Sequence, residues 1–412
     1  MARDERPIIA IDLGTSLTRV AAGRIEVDDM ERELEVLALG QAPSAGLQRG
    51  IIQNPEEAAY SIKAAFEDAA IEGKYRDAMV YVGIGGKHIV SVNTAGESVI
   101  SRSDGLVSEK DVSRAIEASK SLRLSPEVQA LHHMPRSFYV DNLRCRRSPI
   151  GMRGVSARAE MHTVTAPVSA MANLKKAIKI AGRDVDWVVA SAVVASQAVL
   201  TREETEIGTL YVDIGAGTTD IAAYDGGAVC HTSSLPVGGN QIVTDLAAVL
   251  HAPAYVCESL LRERASGDPR SYKVDDEMLV PAFGIPGQRR VRLGYINDII
   301  AMRLSEILQM AVARAKEASP ALSLSGGLVL AGGVARMPAL DMLAERVVNH
   351  PVRIGHIPVR TIRTEIGQDP AFVSLLSVLL AQADPQFAAL KEQRPAHQGM
   401  RRLLPIFGGA RS

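Results

Sequence analysis

Short apolar runs, each ending on an acid or a small-residue turn, punctuate this chain. Ile8-Ile9-Ala10-Ile11 leads into Asp12-Leu13-Gly14-Thr15-Ser16. In the second half, Leu210-Tyr211-Val212 leads into Asp213-Ile214-Gly215-Ala216-Gly217-Thr218-Thr219. Unbroken runs of this kind predict buried strands. An acid is poor strand material and belongs at a strand end. The glycines that follow let the backbone approach an oxygen closely. A third run, Leu328-Val329-Leu330-Ala331, ends in Gly332-Gly333-Val334, and Pro338 predicts a helix opening at its own position.

Between these runs the spacing becomes helical. Asn54 as cap, Pro55, Glu56 and Glu57 open a helix whose expected apolar face is Tyr60, Ile62, Phe66 and Ala70. Over residues 87–160 alternating stretches at 88–93 and 137–141 flank a helix capped by Ser108 with Asp111, which predicts a small inserted α+β unit. Gly182 ends a Lys-rich amphipathic helix, and residues 187–200 predict a strand running into a turn and helix. Residues 268–294, polar and rich in Gly and Pro, predict a loop or short hairpin. Ile296, Ile299, Ile300, Leu304, Ile307, Leu308 and Val312 mark a long helix; Pro370 opens the last one, ending near Asp384. The partition that follows is 1–86 and 161–206 for a first lobe, with 87–160 inserted in it. Residues 207–240 and 295–383 make a second lobe with 241–294 as its smaller subdomain, then a linker at 384–399 and a tail at 400–412.

Each acid-tipped turn offers backbone amides and hydroxyls to a phosphate, and each Asp can hold a hydrated divalent cation. One such turn alone reads equally well as an ordinary Asp/Gly β-turn. Two of them, followed in order by a third glycine turn, read as a nucleotide site. Other nucleotide signatures fail: the nearest Gly-Lys, Gly86-Lys87, is followed by His88, and Gly215 and Gly217 are followed by Asp220 rather than a third glycine.

Composition narrows the class. At 412 residues the chain has room for two to four domains, and 47% hydrophobic residues with few aromatics predict ample aliphatic cores. A net charge of −1 gives no reason to expect nucleic acid as a partner. Cys145, Cys230 and Cys257 lack metal spacing and read as reduced thiols. The first residues read as running into a strand without a signal peptide, and the longest apolar stretch is shorter than the ~20 residues that span a bilayer. His132-His133 lacks a third suitably spaced ligand and reads as a strand-edge pair. Lys175, Lys176 and Lys179 read as a solvated helix face, and Arg144, Arg146 and Arg147 as a basic contact patch.

Two acid-tipped hairpins with a third glycine turn resemble the actin/hexokinase/Hsp70 superfamily. Within it, Gly50-Ile51-Ile52-Gln53-Asn54, Tyr81-Val82-Gly83-Ile84-Gly85-Gly86-Lys87-His88, Leu131-His132-His133-Met134-Pro135, Pro149-Ile150-Gly151-Met152-Arg153-Gly154 and Pro236-Val237-Gly238-Gly239-Asn240 are similar to the bacterial cell-division FtsA family. The resemblance, which spans residues 8–383, implies an α/β two-lobed actin-like ATPase fold with an inserted small α+β subdomain, binding ATP and Mg2+. It implies a scaffold that forms filaments with itself, tethers the tubulin-like FtsZ ring to the cytoplasmic face of the inner membrane and recruits later division proteins. By motif, Asp12, Gly14, Thr15 and Ser16 form one phosphate hairpin and Asp213, Gly215, Gly217, Thr218 and Thr219 the other. Gly332, Gly333 and Val334 flank adenosine, and Asp12 and Asp213 hold Mg2+ mainly through water.

Two positions depart from the family pattern. The Glu-x-x-Lys near the ribose becomes Glu258 with Leu261, and Arg262, the next residue, is turned by about 100°. No acid stands in 190–197 to position a water; Gln197 is the candidate there, and hydrolysis is expected to be slow or undetectable. The pilus-assembly PilM proteins, with a comparable insertion, are the competing resemblance. A sugar-kinase-like phosphotransferase would need a carboxylate base that the sequence does not display. In the tail, Arg401, Arg402, Leu403, Leu404, Ile406 and Phe407 suit an anionic membrane surface, and Pro405 interrupts any continuous helix.

Overall fold

The computed structural model describes residues 7–381 apart from 29, 30, 72, 121–123, 146, 147, 274, 285, 286, 359–361 and 363. The first lobe opens with β1 (Ile8–Leu13), β2 (Leu17–Asp28) and β3 (Glu31–Pro43), an antiparallel meander, then the short pair β4 (Leu47–Gln48) and β5 (Ile51–Ile52). Helix α1 (Pro55–Asp68) starts where predicted, with the Asn54 side chain accepting from the Glu56 and Glu57 amides. Its buried face differs from the expected one. Ala58, Ala59, Ile62, Ala65 and Phe66 are buried, whereas Tyr60 is 74% exposed and Ala70 lies beyond the helix end. At 3.6 residues per turn, position 60 points almost opposite to that stripe. β6 (Met79–Ile84) then pairs parallel to β1.

The inserted unit holds β7 (Val90–Val99), α2 (Glu109–Lys120), β8 (Val128–Val140), β9 (Leu143–Cys145) and β10 (Ser156–Pro167). Its sheet runs β7-β10-β8-β9, with α2 packed on β7 and β10 over a small core of Ile100, Val112, Phe138, Val140, Ala159 and Met161. The Ser108 amide and hydroxyl both donate to Asp111, at 2.8 and 2.5 Å, which fixes the start of α2. β10 crosses the boundary expected between residues 160 and 161. Arg144 lies beside Gly226 of the second lobe, where a Cβ would come within 2.9 Å of its Nη2. Arg146 and Arg147 lie outside the described residues.

After α3 (Val168–Ile180), closed by Gly182 at φ 90°, β11 (Trp187–Ala190) runs straight into α4 (Ser191–Val199), and α5 (Arg202–Ile207) leads to the second lobe. That lobe contains β12 (Thr209–Ile214), β13 (Thr219–Asp225), β14 (Ala228–Leu235), α6 (Gly239–Leu250) and α7 (Ala254–Glu263). The polar stretch forms a hairpin of β15 (Glu277–Pro281) and β16 (Gln288–Arg292), followed by the long α8 (Leu293–Ala318), β17 (Leu328–Ala331), α9 (Leu340–Val348), β18 (Val352–Ile354) and α10 (Val373–Leu380). Pro338 does not open a helix: residues Gly333–Arg336 form a 3-10 turn, and α9 starts at Leu340 after Ala339 in the left-handed region. Pro370 likewise opens a 3-10 turn that precedes α10. Among the described residues no helix is long and apolar enough to cross a membrane.

The two main sheets repeat each other. Their orders are β3-β2-β1-β6-β11 and β14-β13-β12-β17-β18, with the same two antiparallel and two parallel pairings. β12 is buried on both faces: Leu210, Val212 and Ile214 enter the core of their own lobe, while Tyr211 joins Tyr224, Val329 and Ala331 in the core built around β1. α10 packs in that same shared core, on β1, β2, β6 and α4. The second-lobe range 295–383 is therefore divided, since α10 sits on the first lobe. Its apolar residues surround the whole helix, and a helix apolar all round is stable only when buried on more than one side.

The inserted unit also reaches the second lobe. Ser91 Oγ donates to the Thr232 carbonyl at 2.8 Å, and Asn93 Nδ2 to the Cys230 carbonyl at 3.0 Å. Buried His162 links Asn93 Oδ1 at 2.7 Å to Thr232 Oγ1 at 3.0 Å. His132 and His133 are buried: His132 Nε2 accepts from the Ala190 amide, and His133 joins Ser119 and Thr163. β9 pairs only with residues 138–140, so at His132 and His133 β8 has β10 as its paired strand, and the imidazoles are covered instead by the packing around Ala190 and Ser119.

Burial first, then the charges of His231 and Arg136, depresses the His162 pKa to about 3. Unfolded His protonates near 6.5, so neutral His162 contributes stability that is complete above that pH and is lost as pH falls toward the folded value. The thermal midpoint of wild type should therefore exceed that of His162→Gln by a margin that shrinks between pH 7.5 and 5; melts at both pH values check this, and a pH-independent margin would contradict it.

Candidate functional site

Both hairpin registers leave four residues between the last paired positions, Leu13 with Thr18 and Ile214 with Thr219. The two turns meet closely: a Cβ at Gly217 would lie 2.6 Å from Thr15 Oγ1. Ser44 braces the first turn by donating to the Gly14 carbonyl at 2.7 Å and sharing a hydrogen bond with Thr18 at 2.9 Å. The start of α6 braces the second, with the Gly239 and Asn240 amides donating to the Gly215 and Ala216 carbonyls at 2.9 and 2.7 Å. The third glycine turn comes to the same place. Gly332 has φ 90°, and a Cβ there would lie 2.3 Å from Asp213 Oδ1. Val334 packs beside Gly239, and Gly333 is exposed.

Three half-buried acids, Asp12, Asp213 and Asp220, interact at this junction. Asp213 accepts from Ser374 Oγ at 2.6 Å, yet burial, with repulsion from Asp220 and Asp12, raises its pKa to about 7. Burial also raises Asp12, against the opposing pull of Arg19, whose Nη1 is 3.9 Å away. Asp220 is raised by burial and accepts from the Gly86 amide at 3.0 Å; a Cβ at Gly85 would come within 2.3 Å of its Oδ2. Carboxyls pushed up together mark a site that gains by receiving a cation. Among the described residues no group of three or more His, Cys, Asp or Glu side chains is placed to hold a metal ion by itself.

Not every expected residue points the same way. Thr219 Oγ1 donates to the Val237 carbonyl at 2.9 Å, and the Thr218 hydroxyl bonds Asp220, so both protons are committed. Thr15 and Ser16 remain as hydroxyl donors, with Ser16 exposed. Glu258 and Arg262 are exposed on α7, and among the described residues no hydrogen bond or ion pair joins them to either hairpin. Gln197 is half-buried on α4, which packs on β12 and β13. Arg401, Arg402, Leu403, Leu404, Ile406 and Phe407 lie outside the described residues.

Sequence reading missed Arg19, Asp220 and Ser374. The first two carried a usable signal, since each stands seven residues after its strand-end acid and faces it across the hairpin. Ser374 had none, because it arrives from the far end of the chain.

Residues 210–377 match the family profile "Cell division protein FtsA", and residues 86–165 match "SHS2 domain inserted in FTSA". The chain is 33% identical to Cell division protein FtsA of Neisseria meningitidis over 356 residues, 86% of this chain and 85% of that protein. It is 31% identical to that of Pseudomonas aeruginosa over 375 residues, 90% of this chain and 88% of that protein. The chain belongs to the FtsA family of cell-division proteins.

Its fold is actin-like. The PilM-PilN type IV pilus biogenesis complex superposes with a TM-score of 0.65 at 17% identity, covering 93% of this chain and 100% of that one. MreB 5 of Spiroplasma citri bound to AMPPNP gives 0.53 at 16% identity, covering 92% and 97%. At these identities the fold alone is shared. The β7–β10 unit is the SHS2 insertion that the FtsA family profile describes.

Because the folded Asp213 pKa is raised, its ionisation destabilises the nucleotide-free chain as pH rises from 3.8 through about 7. The Asp213→Asn variant should therefore gain thermal midpoint over wild type from pH 5 to pH 8; melts in the absence of nucleotide and divalent cation check it, and a gain that stays level across that range would contradict it.

Proposed function

We propose that this chain is an ATP-binding, polymerising cell-division scaffold that holds a tubulin-like FtsZ ring to the cytoplasmic membrane and helps recruit later division proteins. The observation that carries this reading is the pair of glycine-closed hairpins, each with a half-buried acid at the end of a central strand. The residues present fit a nucleotide with a divalent cation. Gly217 and Gly332 let the two hairpins and the third glycine turn close on one another, and among the described residues the raised acids have only Arg19 as a nearby cation.

Gly14, Thr15 and Ser16 on one side and Gly215 to Thr218 on the other would hold the phosphates. Asp12 and Asp213 would hold hydrated Mg2+, and Gly332, Gly333 and Val334 would flank adenosine. Bound Mg2+ would supply the positive charge that lets these carboxylates ionise. Gln197 is the group available to orient a water, and a neutral amide at that place agrees with slow hydrolysis.

On the smaller subdomain, Arg289, Arg290 and Arg292 line a cup with Tyr272, Tyr295 and Asp298. Its excess of positive charge suits an acidic segment of a protein partner. The tail at 400–412 would lie on anionic lipid, with each Arg worth about 1 kcal/mol there. One tail would bind weakly, and a filament presenting many would bind firmly through effective concentration.

Co-sedimentation with anionic liposomes tests the whole reading. The full chain should pellet with vesicles in Mg-ATP and much less without nucleotide, and a chain ending at Gly399 should stay in solution under both conditions. Equal pelleting of the two chains would remove the membrane tail from the proposal; pelleting indifferent to nucleotide would remove the polymer switch.

A further inference from the structure

Helix α10 carries two hydroxyls in an otherwise apolar run, Ser374 and Ser377. Ser377 does what a helical serine commonly does and returns its proton to the carbonyl four residues back, that of Val373, at 2.7 Å. Ser374 does not. The carbonyl four residues before it, that of Pro370, already accepts from the Gly332 amide at 3.0 Å. The Ser374 hydroxyl donates instead to Asp213 Oδ2 at 2.6 Å. The hydroxyl of fully buried Tyr211 donates to the same oxygen at 3.4 Å. Both donors thus converge on Oδ2. Among the described residues no hydrogen bond reaches Oδ1, which lies against the third glycine turn, where a Cβ at Gly332 would stand 2.3 Å from it.

A carboxylate with one oxygen held and the other open has its direction fixed. The shorter of the two bonds comes from the opposite lobe, since α10 packs on β1, β2, β6 and α4, whereas Asp213 stands near the end of β12 in the second lobe. Hydrogen bonds from outer side chains orient the groups that hold a metal ion, and losing one typically costs roughly 10- to 100-fold in metal affinity. We propose that Ser374 is the positioning residue of Asp213: its hydroxyl holds Oδ2 and leaves Oδ1 as the oxygen offered to the hydrated cation that accompanies a nucleotide. Ser374 acts through the acid, not on the ligand. This rests on the nucleotide reading above and adds to it the side chain that orients the acid. A hydroxyl that only satisfied a half-buried carboxylate would, on removal, weaken the fold without distinguishing nucleotide with Mg2+ from nucleotide without it.

Equilibrium binding of ATP to the full chain and to its Ser374→Ala, Ser374→Cys and Ser374→Thr variants, each across a Mg2+ titration and in EDTA, separates these roles. Cys stays close to the volume of Ser and offers only a weak donor, so it reports on the hydrogen bond even where Ala leaves a destabilising gap. Thr keeps the hydroxyl. Ser374→Ala and Ser374→Cys should each raise the Mg2+ concentration that half-saturates its effect on ATP binding by about tenfold and leave binding in EDTA within about twofold, and Ser374→Thr should recover most of the loss. An unchanged Mg2+ requirement in both Ala and Cys variants would overturn the assignment and leave the nucleotide site standing. Equal losses with and without Mg2+ would make Ser374 a structural partner of Asp213 and overturn it as well. Wild type that binds no ATP, or binds it with no response to Mg2+, would overturn the nucleotide-and-cation reading itself, and this assignment with it.

Discussion

At the centre of the molecule the two hairpins approach so closely that the second has no room for a methyl group at Gly217, opposite Thr15. Gly332 stands in the same relation to Asp213. These two contacts bring the ends of three strands from different parts of the chain to one point, and the rest of the structure holds them there. Ser44 and the start of α6 brace the turns from behind, and the central strands are buried on both faces so that neither sheet can slide. The cost is electrostatic. Acids suited to a hydrated cation must be kept where burial and mutual repulsion oppose their ionisation, and packing elsewhere offsets that cost.

The end of the described chain works as a crosspiece over this point. Asp369 fixes Arg336, the Pro370 carbonyl accepts from the Gly332 amide at 3.0 Å, Phe372 lies beneath both arginines, and Ser374 donates to Asp213. α10 then buries itself on the first lobe. One short segment thus touches the acid of the second hairpin, the third glycine turn and the cation of the first hairpin. The SHS2 insertion of this FtsA-family chain makes a separate connection, from β7 and His162 to β14. The lobes are joined at the site and again at its flank.

Much of this was legible beforehand. The strand-end acids, the glycine turns, the cap of α1, the closing Gly182 and the hairpin within 268–294 depend on neighbours a few residues away, and such signals are written in the local sequence. The duplication was legible at the level of motif. Its register was not drawn out, although Asp12 with Arg19 and Asp213 with Asp220 carry it in their common spacing. Other expectations failed where a distant partner decides the outcome. Tyr60 is apolar and lies in the right helix, but the stripe that meets β3 runs along the other side. Thr219 sits in the motif and gives its proton to Val237.

What the sequence by itself determined is therefore the set of strands, turns and caps, the two-lobed α/β plan with its insertion, and the family resemblance carried by the motifs. Backbone preference and the period of apolar positions are short-range properties, and they act before any long-range contact exists. The tertiary structure alone decided which lobe α10 stabilises, which face of a doubly buried strand meets which core, that His132 and His133 are buried, and that Arg19 and Ser374 belong to the site. Those outcomes depend on which of several similar apolar or polar surfaces arrives opposite, and that is set by the packing of the whole chain.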